Sequence, residues 1–60
     1  MHILLVDDHA VVRQGYCALL TMMLPETQVD EAENAQQALK ILGQQSVDLV
    51  ILDINLEASS

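Results

Sequence analysis

Apolar residues gather in two short runs. Ile3-Leu4-Leu5-Val6 lies near the start and Val47-Asp48-Leu49-Val50-Ile51-Leu52 near the end, and between them apolar positions recur at helical spacing. Runs of this length suit strands covered on both faces of a sheet. The first ends in Asp7-Asp8 and the second in Asp53. A helix is expected to begin near His9 or Ala10, with Val12, Tyr16, Leu19, Leu20 and Met23 as its buried stripe and Arg13, Gln14 and Thr21 largely off it. Pro25 pushes Leu24 out of the helical region and stops the element. Thr27 to Glu31 is the weakest segment and reads as a short strand around Val29. Asn34 then suits an N-cap, with Gln37 in the capping-box position. Ala35, Ala38, Leu39 and Leu42 form a second stripe, and Gly43 suits the left-handed residue that closes a helix.

The predicted order is β-α-β-α-β, which implies an α/β fold with parallel strands and right-handed crossovers. The last strand is as apolar as a central strand, yet no later element follows to pair with its far edge. Such an edge is a template for association. The chain therefore reads as the first half of a larger domain. With 60 residues, it is in the size range where burial is marginal. Apolar content of 52% marks it as core-forming, and with Tyr16 the only aromatic, the core must come from aliphatic residues and methionine.

A net charge of −7 argues against direct contact with nucleic-acid phosphates, and no basic run suggests an anionic membrane surface. The single cysteine, Cys17, rules out an internal disulfide and a cysteine metal site, and reads as a partly buried helix residue. The first apolar run is too short for a signal peptide and no segment is long enough to span a membrane. A cytoplasmic setting is the expectation.

The chemistry lies in the acids. In open parallel sheets, ligands bind beyond the carboxyl ends of the strands, where strand order reverses. Asp7, Asp8 and Asp53 all stand at such ends. Three carboxylates drawn together raise one another's pKa, and a hard divalent cation such as Mg²⁺ relieves that cost. A strand-end aspartate can act as a nucleophile toward phosphorus. Asp53 is the best such nucleophile and is itself a metal ligand, together with Asp7, Asp8 and the backbone carbonyl of Asn55. Each acid taken alone is more often a loop or capping residue; the combination is the specific signal.

These residues resemble a known pattern. Ile3-Leu4-Leu5-Val6-Asp7-Asp8-His9, Glu31 to Leu39, and Asp48 to Leu56 are similar to the N-terminal half of a two-component response-regulator receiver domain. The resemblance covers nearly the whole chain. It implies a flavodoxin-like doubly wound parallel sheet, with residues 1–60 giving its first three strands and first two helices, strand order 2-1-3, and no second domain. It further implies that Asp53 accepts a phosphoryl group from a histidine kinase or phosphotransfer protein. Asp8 would ligate Mg²⁺ directly, Asp7 would assist through water, and the Asn55 carbonyl would complete the protein ligands. The module would be a phosphoacceptor, not a turnover enzyme. Asp7-Asp8-His9 followed by Val12-Arg13-Gln14-Gly15 is also similar to regulators with a C-terminal helix-turn-helix, which would make the parent protein a transcriptional regulator. The family's hydroxyl residue and lysine after later strands fall beyond residue 60, and Glu57 stands where a proline is usual.

Other readings are weaker. His2 and His9 flank one strand at opposite ends and cannot share an ion; His9 is expected at the rim of the acid site. Met22 and Met23 read as helix packing and Lys40 as a solvated helix residue. Ala58 stands where a calcium-binding EF-hand loop from Asp53 needs glycine, and no glycine-rich turn supports a dinucleotide site. A phosphate-hydrolysing enzyme with an aspartate nucleophile would need an acid where Asn55 stands. The alternative from another class is a non-signalling fragment that self-associates through its exposed third strand, as a homodimer.

Overall fold

The structure, a computed structural model, describes residues 1–53. Its elements are β1 (His2–Val6), α1 (Ala10–Met23), β2 (Gln28–Ala32), α2 (Ala35–Gln44) and β3 (Leu49–Leu52). The three strands form one parallel sheet in the order β2-β1-β3. The chain thus steps from β1 to one side and returns across it to the other, which makes the gap between β1 and β3 the point where strand order reverses. The α/β, flavodoxin-like reading holds, including the weakly signalled β2.

Central placement explains the first apolar run. Ile3, Leu4, Leu5 and Val6 are all buried, Leu4 to 0% exposure. Alternate side chains serve opposite faces. Leu4 and Val6 join Ala32 and Ala38, with Ile41 and Val47 against them, in the core below α2. Leu5 faces the other way, toward Tyr16 and Leu20 of α1. Burying each of these aliphatic side chains is worth about 1.5–3 kcal/mol, so β1 is the anchor of the fold.

Several expectations about burial fail for one physical reason: among the described strands only β1 has partners on both edges. α1 contacts β1 and β2, and neither helix packs closely on β3. The predicted α1 stripe is accordingly open, with Val12, Tyr16, Leu19 and Met23 exposed, Tyr16 by 52%. The last run forms a strand, as predicted, but it is not a buried one: Leu49, Val50 and Leu52 are exposed, Leu52 by 55%. On α2 the buried face is Ala38 with Ile41, whereas Ala35, Leu39 and Leu42 face outward.

Local signals fare better. The Asn34 side chain accepts from the Gln37 amide at 2.8 Å. Gln37 Oε1 reaches back one residue further than the usual box, accepting from the Glu33 amide at 3.0 Å. Leu24 caps α1 with φ −128° and ψ 73°, outside the helical region before Pro25. Gly43 is a correction. It lies inside α2, no glycine among the described residues has positive φ, and the helix closes through the Gln45 amide onto the Ile41 carbonyl at 2.9 Å. The chain leaves Gln45 in an extended conformation, so no left-handed residue is needed.

Candidate functional site

Register builds the site. Val6 pairs with Leu52, and the ladder runs one step further: the Asp53 amide donates to the Val6 carbonyl at 3.0 Å and the Asp7 amide to the Ala32 carbonyl at 3.0 Å. Asp7 and Asp53 are thereby fixed side by side at the carboxyl ends of neighbouring strands. They share the face that carries Leu5 and Ile51, and a groove of about 310 Å³ runs there between α1 and the sheet, lined by Leu5, Asp7, Tyr16, Leu20, Ile51 and Asp53.

Burial separates the two consecutive acids. Asp7 is 0% exposed, and its Oδ2 is buried with no hydrogen bond. An unsatisfied carboxylate oxygen in a closed environment is costly. Asp8 is exposed beside it. The other oxygen of Asp7, Oδ1, accepts from the His9 amide at 2.9 Å and lies 3.1 Å from His9 Nδ1. The same ring nitrogen is 2.8 Å from Asp8 Oδ1 and 3.9 Å from Asp53 Oδ2. His9, expected at the rim, therefore touches the acids directly.

Electrostatics follow from these contacts. The His9 backbone amide, aided by the His9 ring, holds the Asp7 carboxyl below its ordinary value despite burial, opposite to the rise expected of acids drawn together. The hydrogen bond to Asp7 and the nearby charge of Asp8 raise the His9 ring above its usual value of 6.5. In its protonated form the imidazole offsets part of the cluster's negative charge.

Arg13 has an organising role that the sequence pattern does not single out. Its Nε donates to Glu31 Oε1 at 2.9 Å, and a terminal guanidinium nitrogen donates to the Asp7 backbone carbonyl at 2.8 Å. Two donors in one rigid fork suit this bridging. It ties the first turn of α1 to the end of β2 and to the acid loop. The available signal was a lone arginine one turn into the helix that follows the acids, with Glu31 closing the neighbouring strand.

The residues present fit a divalent cation: an orphaned buried oxygen on Asp7, with oxygen donors on Asp8 and Asp53 beside it, matches the preference of Mg²⁺ for a few carboxylates plus water. Asp7, Asp8 and Asp53 are brought together as the sequence implied. Asn55 lies outside the described residues. Cys17 is partly buried in α1, which raises its thiol pKa, and Lys40 of α2 is exposed. His2 sits at the far end of β1, as expected.

A parallel sheet of order β2-β1-β3 with acids converging at its switch point defines the class, and comparison with known proteins agrees. The chain belongs to the response regulator receiver domain family, whose pattern it matches over residues 3–60. It is similar to the nitrate/nitrite response regulator NarL of Escherichia coli, at 39% identity over 90% of this chain and 25% of the relative. It is also similar to the transcriptional regulatory protein YdfI of Bacillus subtilis, at 33% identity over 97% of this chain and 27% of the relative. The sensory transduction protein LytT of Enterococcus faecalis is 35% identical over the full chain and 25% of its own length. The chain thus spans about a quarter of the length of these relatives. No solved structure is a significant match. No helix among the described residues is long and apolar enough to cross a membrane.

Proposed function

We propose that this chain is the phosphoacceptor portion of a two-component receiver, with Asp53 as the acceptor of a phosphoryl group from the phosphohistidine of a histidine kinase or phosphotransfer protein. The single observation that carries this reading is the buried, unbonded Oδ2 of Asp7 beside Asp53, which is itself held by the Val6 carbonyl. When bound, Mg²⁺ would offset charge on the transferring phosphoryl oxygens. Asp8, the exposed acid, would ligate it directly, Asp7 would act through water, and the Asn55 carbonyl would complete the protein ligands. A carboxylate oxygen of Asp53 attacks phosphorus, the bond to the donor imidazole breaks, and the donor leaves. The chain accepts the group once and is not a turnover enzyme. Residues 1–60 are read as the first three strands and two helices of that receiver, in a cytoplasmic regulator. Similarity to the transcriptional regulatory protein YdfI supports an output in transcription, with DNA contacted by another part of the parent protein.

The test is incubation with Mg²⁺ and a small-molecule phosphodonor, followed by intact-mass measurement. One added phosphoryl group is expected in the wild-type chain and none in Asp53→Asn; equal labelling of both would remove Asp53 from the assignment. A second reading is self-association through β3, favoured by its exposed Leu49, Val50 and Leu52 and by its pairing with β1 alone among the described strands. Sedimentation over a concentration range tests it: a concentration-dependent dimer is expected, and a monomer throughout contradicts it.

A further inference from the structure

We propose that His9 is itself a metal ligand, so that this acid cluster is a mixed nitrogen–oxygen site selective for first-row transition cations over Mg²⁺. The inference rests on the reading of the cluster as a cation site.

Three observations carry it. The first is spacing. In octahedral coordination with bonds near 2.1 Å, adjacent donor atoms are about 3.0 Å apart. His9 Nδ1 lies 3.1 Å from Asp7 Oδ1 and 2.8 Å from Asp8 Oδ1, with Asp53 Oδ2 further round at 3.9 Å. One ligand atom from each of Asp7, Asp8 and His9 lies within 4.8 Å of the others. The Asp7 contact is a hydrogen bond while Nδ1 keeps its proton; with that proton displaced by a cation, the same atoms stand at the separation of neighbouring positions around one ion. The second is the unbonded Oδ2 of the fully buried Asp7, an acceptor that hydrogen bonds within the cluster do not satisfy. The third is the fixing of His9. Its backbone amide is tied to Asp7 Oδ1 at 2.9 Å, and its carbonyl accepts the first helical hydrogen bond, from the Arg13 amide at 2.8 Å. The ring therefore hangs from an anchored residue, while being 51% exposed and so within reach of an entering ion.

Donor chemistry gives the selectivity. Mg²⁺ binds carboxylate oxygens and water and gains little from imidazole. Ions such as Co²⁺, Ni²⁺ and Zn²⁺ accept imidazole readily, and they bind such sites more tightly than the earlier members of the series. All-oxygen ligation would favour transition ions modestly; a nitrogen donor widens the gap.

The experiment titrates the full 60-residue chain with Mg²⁺ and with Co²⁺ at mildly alkaline pH, for the wild type, His9→Gln and His9→Phe. The ratio of Co²⁺ to Mg²⁺ affinity is expected to fall by about tenfold or more in both variants. Independently, Co²⁺ should shift and broaden the His9 ring protons of the wild type beyond the effect on the His2 ring, a readout that needs no variant to fold. An unchanged ratio together with an unperturbed His9 ring would overturn the proposal. If Mg²⁺ fails to bind but Co²⁺ binds in a His9-dependent way, the Mg²⁺ part of the receiver reading fails and this one stands. If neither ion binds, both fail.

Discussion

The two ends of the central strand place a histidine among acids, with opposite results. At the amino end, His2 is nearly enclosed, its side chain 13% exposed. Its Nε2 bonds Asp30 Oδ2 at 2.5 Å, its Nδ1 meets the Ser46 carbonyl at 2.7 Å, and its amide donates to Asp48 Oδ2 at 2.8 Å. That network links β1 to β2 and to the segment entering β3. At the carboxyl end, His9 is half exposed and shared among three acids, and a buried Asp7 oxygen is left without a bond. The lesson is that residue types alone do not mark a site. A polar network that satisfies its members acts as a fastening; one that leaves a buried acceptor empty is poised to receive something.

The largest perturbation should strike both ends together. Leu4→Ala empties a fully buried position in β1 and should cost about 2–5 kcal/mol, enough to abolish cooperative melting by circular dichroism in so small a chain.

Neutralising one acid at each end should have opposite signs. Asp30→Asn weakens the bond to His2 and should destabilise by about 1–2 kcal/mol. Asp53→Asn removes a carboxylate from a crowded cluster and should stabilise the metal-free chain by on the order of 1 kcal/mol. With Mg²⁺ at ten times its dissociation constant, the wild type should gain about 1.4 kcal/mol and the Asp53→Asn variant much less. Urea melts with and without Mg²⁺ check all three.

pH acts on both histidines in one direction. Chiefly its bond to Asp30, and then the Ser46 carbonyl, raise His2 above 6.5, and His9 is raised by the acids around it. A histidine raised on folding contributes its stabilisation fully below its unfolded value and loses it as pH rises through the folded one. The melting midpoint should therefore fall between mildly acidic and alkaline pH. His2→Gln should flatten the decline, leaving the part due to His9. An unaltered slope would mean that the closed end does not titrate as a unit.

The smallest effect tests the scaffold alone. A Cβ at Gly43 meets nothing within 4 Å, so Gly43→Ala should stabilise α2 by about 0.4–1 kcal/mol without altering Mg²⁺ affinity. A change in affinity would show coupling from the closed end to the open one.

Much of this was legible in the sequence because it depends on local pattern and on parallel topology. The runs ending in Asp7-Asp8 and Asp53 located the strands, and alternating elements put the acids at one edge. Asn34 and Pro25 marked helix boundaries through chemistry confined to a few residues. What periodicity could not supply was the extent of cover. The α1 stripe and β3 look like buried elements, but burial depends on what lies opposite, and β3 is bordered by β1 alone among the described strands. Gly43 misled because an extended exit ends a helix as well as a left-handed one. Arg13 and His2 were missed as organising residues because their partners are distant in sequence: Glu31 for the first, Asp30, Ser46 and Asp48 for the second.

The most direct test of the contrast between the two ends is a Mg²⁺ titration of the isotope-labelled chain, followed amide by amide by NMR. The amides of Asp7, Asp8, His9 and Asp53 should shift along one saturable curve, while those of His2, Asp30 and Asp48 stay in place. Absence of a saturable response at the carboxyl end, or equal responses at both ends, would contradict the assignment of that end as the site.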